Sequence, residues 1–205
     1  MKRIAPVFAA ALTALALAAC NGATGSSAPA ATTSPSAGAT AATTAGPSAG
    51  TSAEAHNQAD VTFAQSMIPH HKEAVAMAQL APSRANSPEV KTLATEIQGA
   101  QDPEITTMTG WLTSWSQPTE MAGMDMSSMP GMMSATEMAD LGKLSGAAFD
   151  RQFLTMMTKH HQGAVQMATT ELSQGQHPAA KSLAQSIIKS QTAEIARMKT
   201  LLAQV

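Results

Sequence analysis

Four of the six histidines fall in two adjacent pairs, His70-His71 and His160-His161. Met67 and Met157 precede them by three residues, so each methionine shares a helical face with the first histidine of its pair. Imidazole and thioether without a functional thiolate suit copper. Sulfur favours Cu(I), while nitrogen also accepts Cu(II), zinc or another transition metal. Glu104 and its counterpart Glu194 are the carboxylates within reach on the neighbouring helices. The plain alternative is a core histidine satisfied by Gln101 or Glu104. Two pairs kept in register favour a metal site, shared or separate.

A second set of soft donors lies between the pairs. Met121, Met124, Met126, Met129, Met132 and Met133 occupy thirteen residues interrupted by glycine and proline, with no helical stripe. An exposed segment of this kind gains nothing from packing. Several thioethers on a flexible loop could instead wrap a large polarisable ion, Cu(I) or Ag(I), at an exchangeable site. Helix-face Met77, Met108, Met167 and Met198 read as ordinary core filling, and Trp111 and Trp115 as core plugs.

The elements that carry these residues are duplicated. Met67-Ile68-Pro69-His70-His71 followed by Ala74 and Met77-Ala78 returns ninety residues later around His160-His161. The same offset matches Pro88, Leu93, Ile97, Gln101, Glu104 and Met108 with Pro178, Leu183, Ile187, Gln191, Glu194 and Met198. Two copies of one helical hairpin are therefore predicted. Helix one is expected from about Asp60 to Leu80, its apolar stripe running through Phe63, Met67, His70, Ala74 and Met77, with a kink at Pro69. Helix two starts at a Ser87 cap with Pro88 at its first position and runs to the tryptophans. Ser134 and Glu137 form a capping box for a short helix to about Leu144. Ser145 caps helix three, and helix four begins at Pro178. The prediction is an all-α, antiparallel four-helix bundle of two hairpins, residues 57–116 and 135–205, joined by the Met-rich connection 117–134.

Ahead of the bundle, Lys2 and Arg3 precede an apolar run from Ile4 to Ala19 that suits a secretory signal, residues 1–19. It ends Leu17-Ala18-Ala19-Cys20, which resembles a bacterial lipobox and makes Cys20 the candidate lipidation site. As the single cysteine, Cys20 has no intramolecular disulfide partner. Residues 20–56 are almost wholly Ala, Thr, Ser, Gly and Pro, a composition that predicts a disordered tether. The expected location is extracytoplasmic, lipid-anchored to the outer face of the cell membrane or periplasmic, with the membrane met only through the lipid. Without Lys2 and Arg3 there are 10 basic residues against 14 acidic ones and no basic block, which argues against nucleic acid as a partner.

The paired motif and the Met-Pro-Gly-Met-Met connection resemble the domain of unknown function 305 family, of the ferritin-like superfamily, over about Asp60 to Leu202. That resemblance implies the ferritin-like bundle and export, and for some members copper binding and copper tolerance outside the cytoplasm. The expected function is copper storage, buffering or tolerance, without enzymatic activity. Two other classes stand against it, a ferritin-like metalloenzyme and a metal-free envelope protein whose bundle docks a partner. Di-iron chemistry normally draws a Glu-x-x-His pair from each hairpin. This chain has no Glu-x-x-His. Glu73 offers the reverse spacing from His70, but Gly163 stands opposite it, which makes the halves unequal.

Overall fold

A computed structural model describes residues 55–121 and 128–205. Among these residues six helices follow one another: α1 Gln58–Ala78, α2 Ala81–Arg84, α3 Pro88–Ser114, α4 Ala135–Lys143, α5 Gly146–Gln174 and α6 Pro178–Leu202. No strand occurs among the described residues. The four long helices α1, α3, α5 and α6 form the bundle, in two hairpins. Cys20, the predicted signal and the predicted tether up to residue 54 lie outside the described residues, as do Met124 and Met126, while His56, given to the tether, stacks on Trp115 with ring centroids 4.4 Å apart.

The helix starts follow their local chemistry. The Asn57 side chain accepts from the N–H groups of Ala59 and Asp60, and Asp60 returns a bond to the Asn57 N–H, a capping box at α1. Ser87 caps α3 through the Val90 N–H, with Pro88 at the first helical position. Ser134 and Glu137 form the predicted box at α4. Ser145 departs from expectation, since it stands at the N-cap of α5 without a side-chain capping bond. The connection after α1 also holds one further helical turn, α2. α1 runs on through Pro69, and α3 through Pro103.

The apolar stripes meet as two buried clusters. One gathers Ala74, Met77, Leu93, Ile97, Phe149, Phe153, Met157 and Met198; the other gathers Phe63, Met67, Ile68, Met108, Leu112, Ala164, Ala168 and Ile187. Each fully buried side chain of this size contributes about 1.5–3 kcal/mol, so the helices are held mainly by these faces. In sequence, the histidine pairs fall between residues of the two clusters in both copies, with Met67 in one cluster and Met157 in the other. A polar layer therefore divides the core.

The hairpins also clasp each other crosswise. Fully buried Asp60 in the first copy accepts from the N–H groups of Gln176 and His177 in the second, at 2.9–3.2 Å. Asp150, ninety residues on, accepts from Asn86 and Ser87 in the first copy at the equivalent places. Burial alone raises the Asp60 carboxyl, but the hydrogen bonds it accepts outweigh this and hold it below the ordinary carboxylate range. Each clasp satisfies backbone donors ahead of a helix that would otherwise be left without partners.

Candidate metal centre

Helical spacing sets His70 and His71 on the inner surface of α1, and His160 and His161 on that of α5. All four are 0 % exposed. The approximate two-fold that relates the copies brings the first histidine of each pair together, and the rings of His70 and His160 lie with centroids 3.7 Å apart, tilted by 37°. His70 of α1 and His160 of α5 thus share one level.

Each second histidine turns to its own hairpin. His71 Nε2 lies 2.7 Å from Glu104 Oε2, and His161 Nε2 lies 2.6 Å from Glu194 Oε2. His70 Nε2 is 3.1 Å from the Pro130 carbonyl of the Met-rich connection. Glu73 Oε2 stands 3.4 Å from His160 Nε2 without forming a hydrogen bond, and accepts instead from the Met133 N–H at 3.0 Å.

What remains open is as informative. The Nδ1 atoms of all four histidines, His160 Nε2, and the side-chain oxygens of Gln101 and Gln191 are buried with no hydrogen-bond partner among the described residues. Leaving a buried polar atom unpaired costs about 1–3 kcal/mol, and here seven sit in one layer. Burial, then the neighbouring His71 charge, pushes the His70 imidazole down to about 3, against a smaller upward pull from the Pro130 carbonyl. Burial, then His70, holds His160 well below the ordinary range. Burial thus favours the neutral form of both rings.

The predicted donors are therefore not equivalent. The layer brings together His70, His71, His160 and His161, with Met67 and Met157, each 0 % exposed, three residues away on α1 and α5. Glu104 and Glu194 serve as hydrogen-bond acceptors for histidine rather than as free donors. Gln101 does not satisfy a histidine, since Nδ1 of all four rings is without a partner among the described residues, whereas Glu104 does pair with His71. Among the described residues, no group of three or more His, Cys, Asp or Glu is arranged to hold an ion. Carboxylate-rich di-iron sites and tetrahedral zinc sites need such a group. The four histidines are no exception: they form a buried layer, not a set of three ligands around one ion.

The Met-rich connection differs from the exposed loop predicted. Met129 and Met133 are 7 % and 4 % exposed, and Met133 belongs to the core cluster of Phe149 and Phe153. Met121 and Met132 are half-buried. The reason is the docking of Pro130 and Gly131 onto α5. A Cβ on Gly163 would overlap the Pro130 carbonyl, and Gly131 takes φ +81° against the His160 and Lys159 carbonyls. The part played by Pro130 was not foreseen, because a backbone carbonyl has no side-chain signature. The mismatch of Glu73 with Gly163 was its sequence trace.

A family model described as domain of unknown function (DUF305) matches residues 60–202. The chain belongs to this family. Among solved structures, a DUF305 protein of Streptomyces coelicolor named as secreted is 36% identical, with TM-score 0.68 over 71% of this chain and 93% of that one. A DUF305 fragment from Deinococcus radiodurans is 34% identical, with TM-score 0.67 over 73% and 98%. CopM in its Cu(I)-bound form is also 34% identical, with TM-score 0.60 over 71% and 96%. Cu(II)-bound, Ag-bound and apo forms of CopM match similarly. No curated protein sequence matches the chain. The DUF305 match begins at Asp60 and ends at Leu202, so it takes in both clasps and the whole histidine layer.

Proposed function

We propose that this DUF305 protein is an extracytoplasmic copper-binding lipoprotein that stores or buffers Cu(I), with copper as cargo and no catalysis. The observation that carries the reading is the buried layer of four histidines whose Nδ1 atoms lack partners. In this reading His70, His71, His160 and His161 are the nitrogen donors, and Met67 and Met157 the nearest thioethers. Neutral imidazole and thioether suit Cu(I), with Cu(II) or another transition metal held less well. The Cu(I)- and Cu(II)-bound forms of CopM support copper as the ion. The signal, the Cys20 lipobox and the secreted Streptomyces relative support export and anchoring. Met121, Met124, Met126, Met129, Met132 and Met133 form a second, weaker class, limited by the packing of Met129 and Met133.

The test is titration of the mature protein with Cu(I) against a competing chelator, beside a variant with all four histidines replaced by alanine. At least two classes of site are expected in the wild type, with the tighter class missing from the variant. Equal binding of Cu(I) and Cu(II) by both proteins would refute the reading. Replacing Cys20 with serine should remove the need for detergent extraction, and a fully soluble wild type would refute the anchor.

A further inference from the structure

We propose that Asp60 and Glu171 form a one-proton latch: the two buried carboxyls share a single proton, and its loss loosens the turn between α5 and α6 from the start of α1. The latch lies at the Asp60 clasp and does not depend on copper.

Asp60 is fully buried, and its oxygens accept from three backbone N–H groups, those of Asn57, Gln176 and His177, at 2.6–3.2 Å. Glu171, 1 % exposed, stands beside it at the end of α5, and neither of its oxygens meets an N–H or O–H donor among the described residues. Two ionised carboxylates side by side repel, and burial weakens the screening that water would supply. A proton on Glu171 turns the same contact into a hydrogen bond donated to Asp60. One negative charge is then left for the three N–H groups. Burial, then the neighbouring Asp60 carboxylate, favours the protonated form and pushes the Glu171 carboxyl up to about 8.

The duplication supplies a comparison within the chain. Asp150 fastens the other turn through Asn86 and Ser87, but Ala81 stands where the second copy has Glu171, and Ala85 where it has Gly175. The two differences belong together. Gly175 has an ordinary φ of −68°, so its backbone does not call for glycine, yet a Cβ there would overlap Glu171 Oε1. Glycine at 175 leaves the room that the Glu171 carboxyl fills. One clasp is therefore built around a second acid and the other is not.

Other titratable groups lie at the same end. Lys181 of α6 donates to the Gly175 carbonyl at 3.2 Å, His177 accepts from the Ala180 N–H through Nδ1 at 3.1 Å, and His56 stacks on Trp115 beyond the end of α3. A variant at Glu171 separates their titration from that of the carboxyl pair.

The experiment is amide hydrogen exchange, followed by NMR on the metal-free mature protein from about pH 5 to 8, each rate divided by that of an unstructured chain at the same pH. The Gln176 and His177 amides are expected to lose protection by up to about tenfold per pH unit, the slope for release of one proton. The Asn86 and Ser87 amides should keep theirs. Glu171→Gln, whose carboxamide N–H can donate to Asp60 at every pH, should level the Gln176 and His177 profile. Glu171→Ala with Gly175→Ala copies the residues of the first hairpin and should level it as well.

Equal profiles at the two clasps of the wild type, or a slope that survives in Glu171→Gln, would overturn the proposal. So would a Glu171 carboxyl carbon that titrates near its ordinary 4.5 in ¹³C NMR.

Discussion

The Pro130 carbonyl occupies the space that a side chain on Gly163 would fill. That one contact explains why the duplicated halves differ at this position. Gly163 must stay bare so that the connection can reach His70 Nε2, while Glu73, its counterpart, ties the same connection down through the Met133 N–H. Gly163→Ala should therefore push residues 129–133 off α5. Overpacking of this kind costs about 1–3 kcal/mol, so urea unfolding should show a lower midpoint with an unchanged slope. An unchanged midpoint would show that the connection does not need this docking.

Stability should fall as pH rises from about 5 to 8, through Glu171. Burial, then the neighbouring Asp60 carboxylate, pushes its carboxyl up to about 8, against a weaker pull from Lys181. Between its ordinary value of 4.5 and about 8 the folded state keeps a proton that the unfolded chain has released, so stability is lost with rising pH in that window. Glu171→Gln keeps the neutral form and should flatten this part of the profile. Parallel profiles for the two proteins, measured by denaturation at pH 5, 7 and 9, would refute the assignment.

Methionines of the connection should separate into two kinds. Met133→Ala empties a core position and should cost about 2–5 kcal/mol, while Met132→Ala, on a half-buried residue, should cost less. Replacing either with leucine conserves volume and should cost less than about 1.5 kcal/mol. Equal losses for the two alanine variants in thermal unfolding would contradict the burial described.

Either clasp should be costly to remove. Asp60→Ala leaves the N–H groups of Gln176 and His177 without their acceptor, and Asp150→Ala does the same to Asn86 and Ser87. Hydrogen bonds to a charged group are worth about 1.5–3 kcal/mol each, so each variant should lose at least that much. The two changes, at equivalent places, should have similar effects in chemical denaturation. A large loss from one and none from the other would show that the copies are not held reciprocally.

Cu(I) that binds only the folded state should raise stability by about 2.7 kcal/mol at a hundredfold excess over its dissociation constant. The quadruple histidine-to-alanine variant should show no such rise in melting temperature. A rise equal to that of the wild type would place the stabilising site outside the histidine layer.

Much of the architecture was legible in the chain because it is local or repeated. Heptad-like stripes, proline and serine at helix starts, and a constant offset of ninety residues suffice to predict two hairpins, but they leave open whether the histidine pairs make one shared layer or two separate sites. Local capping has limits, as Ser145 shows, because a serine ahead of a helix need not turn its hydroxyl to the backbone. The same-face spacing of Met67 with His70 and of Met157 with His160 also followed from helical period alone.

Three features depended on tertiary structure. Helical spacing does not say which nitrogen of a ring is free, because the acceptors Glu104, Glu194 and Pro130 lie 33 or 60 positions away in the chain. Composition made the Met-rich connection look like exposed loop, whereas Met129 and Met133 are buried because Gly163 leaves room for Pro130. The crosswise clasps of Asp60 and Asp150 join backbone groups 63 to 117 residues distant, and backbone N–H groups look alike in every sequence. Residue types and period determined which side chains line the buried layer. Long-range packing decided which of their atoms are left without a partner.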